Sequence, residues 1–159
     1  MSVSIFDEAH IHYAVALNLI PQPNLRITTR ALTENAVLRI LNLPGYSSCG
    51  SAGFEAVRAQ PAQLCEDLHH EFWPCDITLK DDLKIDWSRV MGHNQITDVY
   101  LLAFAVEHSG VLATLDHRVA LSAVRGAEAK HLQLICCDSF ALQVTKLRKA
   151  SVITASCDF

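Results

Sequence analysis

The sequence predicts an α/β fold built on a mainly parallel sheet. Three observations point there. Apolar strand-like runs alternate with helical patterns along the chain, the order that βα units produce. The run Val99–Val106 is apolar nearly all round, as a helix buried on every side must be. Val111–Leu115 follows it as a short continuous apolar run, the signature of a parallel strand covered on both faces.

The elements follow in order. Ile11–Ile20 is apolar enough for a helix and is stopped by Pro21 and Pro23. Leu25–Thr29 is a short strand. Thr33–Leu43 is a helix, with Thr33 as its N-cap, Glu34 in its first turn, and Pro44-Gly45 ending it. Ala52–His69 is a further helix with Phe54, Val57, Leu64 and Leu68 as its apolar stripe. Phe72-Trp73 is strand-like but runs into Pro74, so it belongs at a sheet edge. Thr97 caps the buried helix, and Gly110 serves as the residue that closes it. Asp116 stands just past the carboxyl end of the strand Val111–Leu115. His131–Ile135 is one more strand. Residues 136–159 show no clear period and are expected to have no place in the sheet, the alternative being an added helix over Phe140–Lys149.

Composition bounds the function. With 159 residues, half of them hydrophobic and 19% charged, the chain is a folded domain and not a disordered one. No stretch is apolar enough to span a membrane, and the start lacks a signal-peptide pattern, so the cytoplasm is the expected compartment. The six cysteines form no C-x-x-C pair and read as free thiols. A net charge of −4 argues against coating nucleic acid by charge alone. It does not exclude cutting nucleic acid at an acidic site where a metal supplies the positive charge.

Three acids fit such a site. Asp98 lies in the first turn of the buried helix, Glu34 in the first turn of a helix that follows a strand, and Asp116 at a strand's carboxyl end. In open α/β sheets, sites gather beyond those carboxyl ends. Carboxylates held ~4 Å apart repel by ~4 kcal/mol per pair at an effective dielectric near ~20, so a cluster makes sense around a hard cation such as Mg²⁺. A metal-bound water and a polarised phosphate then give phosphodiester hydrolysis. Each acid also has a plain structural reading. First-turn carboxylates satisfy the helix dipole, and Asp116 can open a turn.

Four blocks carry a family resemblance. They are Leu32–Leu41 (LTENAVLRIL), Ile96–Ala105 (ITDVYLLAFA), Leu112–Asp116 (LATLD), and Ala120–Glu128 with His131-Leu132. In order and rough spacing, from about Phe6 to Ile135, the chain resembles PIN-domain toxins of the VapC type. The resemblance implies a three-layer α/β/α fold and a Mg²⁺-dependent endoribonuclease, Mn²⁺ being a possible substitute. It implies an RNA substrate, a small antitoxin partner and a homodimer. Glu34, Asp98 and Asp116 fall on the family's acids, as catalytic residues and metal ligands together. Thr114 resembles a hydroxyl residue common there that orients a carboxylate or phosphate.

The family opens with an interior strand ending in a further aspartate. Met1–Ile5 contain no acid, and Asp7 falls beyond that position. The expectation is therefore an incomplete PIN-like domain over residues 1–135, lacking its first strand and first metal-binding aspartate, with 136–159 as a tail outside the resemblance. Strands left without their neighbour would expose backbone groups costing ~1–3 kcal/mol each when buried, against a net stability of ~5–15 kcal/mol. The alternative reading is accordingly an inactive remnant that at most binds an antitoxin. A response-regulator-like phosphoryl-transfer domain would need an acidic pair near the first strand and a phosphate-facing lysine, and neither is present. Cys65 and His69, at helical i, i+4 spacing with His70 next, could hold zinc but lack a second ligand pair. His10 and His12 fit a loop pattern, and His93 with Asn94 precede Asp98 as solvated loop or substrate contacts.

Overall fold

The computed structural model describes residues 13–14, 25–43, 53–67, 69–135 and 151–154. Except for Tyr13 and Ala14, which are helical, the helix expected over Ile11–Ile20 lies outside them, as does the one considered over Phe140–Lys149.

The described elements are β1 (Arg26–Thr29), α1 (Ala31–Leu41), α2 (Gly53–Asp67), β2 (His69–Phe72), α3 (Ile96–Glu107), β3 (Val111–Thr114), β4 (Leu132–Leu134) and β5 (Ser151–Thr154). The five strands form one sheet in the order β2-β1-β5-β3-β4. Every pairing in it is parallel. The α/β expectation with a parallel sheet therefore holds. So does the edge position of the strand that ends near Trp73, although that strand begins at His69, where a helix end was expected.

The tail differs from its expectation. Residues 151–154, expected to lie outside the sheet, form its middle strand. Val152 pairs with Ile27 on one side and Val111 on the other, and Ile153 with Thr28 and Leu112. The interior gap anticipated between the strands is filled by β5. The physical reason is the one that made the gap costly. Two facing strand edges hold rows of unpaired N–H and C=O groups, and a parallel strand satisfies both rows at once.

Helix ends are set by local chemistry that departs from the sequence expectation in two places. α1 begins at Ala31, so Thr33 is its third residue and Arg30 the cap. The Thr33 hydroxyl still serves the helix start, accepting from the Arg30 N–H (3.1 Å) and donating to the Arg30 carbonyl (3.0 Å). α3 begins at Ile96 after Gln95, with no side-chain cap. At its other end Ser109 takes the left-handed conformation (φ 53°) that Gly110 was expected to supply. The Ser109 N–H donates to the Val106 carbonyl (3.3 Å) and the Gly110 N–H to the Ala105 carbonyl (2.7 Å). These are the paired bonds of a Schellman closure.

Two apolar clusters form among the described residues. The larger centres on α3, with Val99, Leu102, Phe104 and Ala105 fully buried against Leu112, Ile85, Trp73 and Val124. The smaller joins Val37, Ile40 and Leu41 of α1 to Val57 of α2. The apolar run of α3 is core, as its pattern implies.

Candidate functional site

The carboxyl edge of the sheet is built from three directions. β1 ends at Thr29 and leads directly into α1, so the amino end of α1 stands at that edge with Glu34 in its first turn. β3 ends at Thr114, two residues before Asp116. α3 runs back to β3 through a tight turn, so its amino end, with Asp98, also faces the carboxyl side of β3. A side-chain bond ties that end to the loop after β3: Gln95 Nε2 donates to the Arg118 carbonyl at 3.0 Å. All three expected acids thus belong to one edge. Asp98 and Asp116 share its β3 side. Glu34 lies on the β1 side, two strand spacings or about 9–10 Å of sheet away.

Each acid has its own setting. Asp98 is only 8% exposed. It is a buried carboxylate at a helix amino end, where the positive end of the helix dipole favours its charge. Glu34 is held by Thr29, whose hydroxyl donates to Oε1 at 2.6 Å. The same hydroxyl lies 2.8 Å from His70 Nε2 on β2. A hydroxyl has one proton, and here it goes to the carboxylate, so His70 Nε2 is the donor to Thr29. A chain His70 → Thr29 → Glu34 orients the carboxylate. Cys65 of α2 is close enough to feel Glu34: burial, and then that negative charge, push its thiol pKa up.

Asp116 is engaged within its own loop. Arg118 donates Nη2 to one carboxylate oxygen at 2.8 Å and Nε to both at 3.0 and 3.1 Å, and its backbone N–H adds a bond of 2.7 Å. The Arg118 side-chain bonds, then the backbone bond and the nearby positive charges, hold the Asp116 carboxyl below the usual carboxylate range, with burial opposing them. Thr114 is fully buried, and its hydroxyl accepts from the Asp116 N–H at 3.1 Å, so it shapes the turn that presents the acid.

The cation expected at this edge needs oxygen donors that converge. Among the described residues no group of three His, Cys, Asp or Glu is placed to hold a metal. Asp116 spends both oxygens on Arg118, and Glu34 stands across β5. The described acids do not by themselves fit the three-donor Mg²⁺ site, and the zinc arrangement considered for Cys65, His69 and His70 is not formed among the described residues either. The partners Thr29 and Arg118 were not foreseen. Arg118 had a local signal, an arginine two residues after an aspartate. The pairing of Thr29 with His70 spans a long stretch of chain and had none.

These features define an α/β protein with an acidic edge at the carboxyl ends of a parallel sheet. No protein-family model matches the chain, and no solved structure matches it. Curated relatives do. The chain is 40% identical over 102 residues to ribonuclease VapC44 of Mycobacterium tuberculosis, a stretch covering 64% of this chain and 70% of that protein. It is 32% identical over 118 residues to ribonuclease VapC29 of the same organism, covering 74% of this chain and 82% of the relative. With ribonuclease VapC39 it shares 30% over 118 residues, 74% and 84% of the two chains. The chain belongs to the VapC ribonuclease family.

Proposed function

We propose that this chain is the endoribonuclease of a toxin–antitoxin pair and hydrolyses RNA phosphodiesters at the carboxyl edge of its sheet. The observation that carries the reading is the placement of Glu34, Asp98 and Asp116 along one edge of the sheet, with Asp98 and Asp116 on its β3 side and Glu34 on its β1 side, in a chain belonging to a family of ribonucleases. Glu34, oriented by Thr29 and His70, is suited to take a proton from an attacking water. Asp98, buried at a helix amino end where the helix dipole favours negative charge, stands beside the turn that carries Asp116. Mg²⁺, with Mn²⁺ as a substitute, is proposed as the cation. Its chemistry would be to acidify water and neutralise phosphate charge. The antitoxin would cover the acidic edge, and the protein would pair with itself. The cytoplasm is proposed as the compartment, since that is where an RNA substrate would be met; no described helix is long and apolar enough to cross a membrane.

The test is RNA cleavage by the purified chain with Mg²⁺ and with EDTA, beside Asp98→Ala. Cleavage that needs Mg²⁺ and falls about 100-fold or more in Asp98→Ala supports the reading. A second reading, an inactive relative that at most binds an antitoxin, is favoured by the occupation of Asp116 by Arg118. No cleavage by the unaltered chain, with antitoxin still bound, would establish it instead.

A further inference from the structure

The sheet is two half-sheets joined by one strand. β2 and β1 pair on one side, with α2 packed on β2 and α1 on α2. β3 and β4 pair on the other, with α3. The closest packing of elements lies within one half or runs through β5, which pairs with β1 and β3 and also touches α3. Arg30 and Trp73 also link the halves. The Arg30 guanidinium lies 3.9 Å from the centre of the Phe104 ring and 5.9 Å from that of Trp73. Of these links, only β5 offers hydrogen bonds to both inner strand edges.

We propose that Ser151–Thr154 is a clasp: an inserted parallel strand that locks the half bearing Glu34 to the half bearing Asp98 and Asp116. The register supports this. Ile27, Val152 and Val111 lie level, as do Thr28, Ile153 and Leu112, so the three strands run out together at the carboxyl edge. One strand between β1 and β3 holds them two ladder spacings apart, about 9–10 Å. An empty slot leaves both inner edges unpaired, and closing it by direct β1–β3 pairing would halve that separation. Either change moves Glu34 relative to the other two acids. The clasp itself stands on backbone pairing alone. Its effect on chemistry rests on the function proposed for the acidic edge.

Hydrogen exchange on the full chain tests the clasp first. The amides of Val152–Thr154 should be protected to within about tenfold of those of Leu112 and Ala113, at any protein concentration, because strands of one sheet open together. Exchange of Val152–Thr154 at free-peptide rates, while Leu112 stays protected, would overturn the proposal. Protection that disappears on dilution would also overturn it, since the strand would then come from a second copy. The variants Ile153→Pro and Ile153→Val add the second arm. Proline removes an N–H and crowds a central strand, whereas valine keeps the backbone intact. Ile153→Pro should speed exchange at Ile27–Thr29 and at Leu112–Thr114 by about tenfold or more, with Ile153→Val unchanged. Unchanged protection in Ile153→Pro would sink the clasp. If the unaltered chain cuts RNA, Ile153→Pro should lose that cutting and Ile153→Val keep it. If it does not cut RNA, the site reading fails and the exchange data still decide the clasp.

Discussion

Arg30 is fully buried, and its Nε, Nη1 and Nη2 find no hydrogen-bond partner among the described residues. Burial lowers its pKa to about 10, with Cys75, Tyr100 and Asp76 pulling weakly the other way. A displacement of that size corresponds to about 3 kcal/mol of cost for keeping the charge. The Phe104 and Trp73 rings return about 2 kcal/mol by cation–π attraction. Methionine would keep the apolar stem against the rings without the charge. Arg30→Met is expected to raise unfolding stability by about 1 kcal/mol, read from denaturant melts; a loss of stability would show that the guanidinium is better paired than its surroundings indicate. The pair Asp116–Arg118 acts in the opposite direction. Its folded carboxyl pKa lies below the unfolded value of about 3.9, so its stabilisation is complete above that value and is lost as pH falls through the folded pKa. Arg118→Ala removes the cause. Near neutrality it should cost at most about 1 kcal/mol, because Arg118 is largely exposed. The stabilities of variant and parent should converge as the pH falls below the folded pKa of Asp116. A gap that stays constant down to acid pH would refute this assignment.

At the scale of elements, α3 is ended by geometry rather than by the residue that normally provides it. Ser109, not Gly110, adopts the left-handed φ of 53°, because the Schellman bonds require that conformation one residue past the cap, His108. A side chain there costs about 1 kcal/mol relative to glycine. Ser109→Gly should therefore stabilise the protein by about that amount, and Ser109→Val should destabilise it by more, since a branched Cβ tolerates this region least. Equal midpoints for all three proteins in urea would contradict the account. Elsewhere the element ends do what their chemistry suggests. The Thr33 hydroxyl bonds both the N–H and the carbonyl of Arg30, although it sits inside the helix and not at its cap.

For the molecule as a whole, the net charge of −4 limits how RNA can be held. Few phosphates can be neutralised by a surface that is acidic on balance. With Asp98→Asn used to keep RNA intact, the slope of log affinity against log salt should be no steeper than about −2, corresponding to roughly two released counterions. Fluorescence anisotropy over a KCl series measures it. A slope several times steeper would reveal a basic track that the overall charge conceals. A shallow slope also fits binding centred on the acidic edge and the residues around it, Arg118 included.

Much of this was legible from the sequence alone, and the reason is periodicity. The all-round apolar run Val99–Val106 could only be a buried helix, and Val111–Leu115 a covered strand, so the edge positions of Asp98 and Asp116 followed from local order. Glu34 followed in the same way from the strand and helix around it. What sequence could not show was decided by partners distant along the chain or by the shape of a turn. Whether Asp116 faces a cation or Arg118 depends on the conformation of one turn. The bond from Thr29 to His70 depends on β1 lying beside β2. The burial of Arg30 depends on Phe104 and Trp73 closing over it. The place of Ser151–Thr154 is the clearest case. Four residues carry no period, and the slot they fill is defined by β1 and β3, strands far apart in sequence whose unpaired edges meet only once the fold brings them parallel.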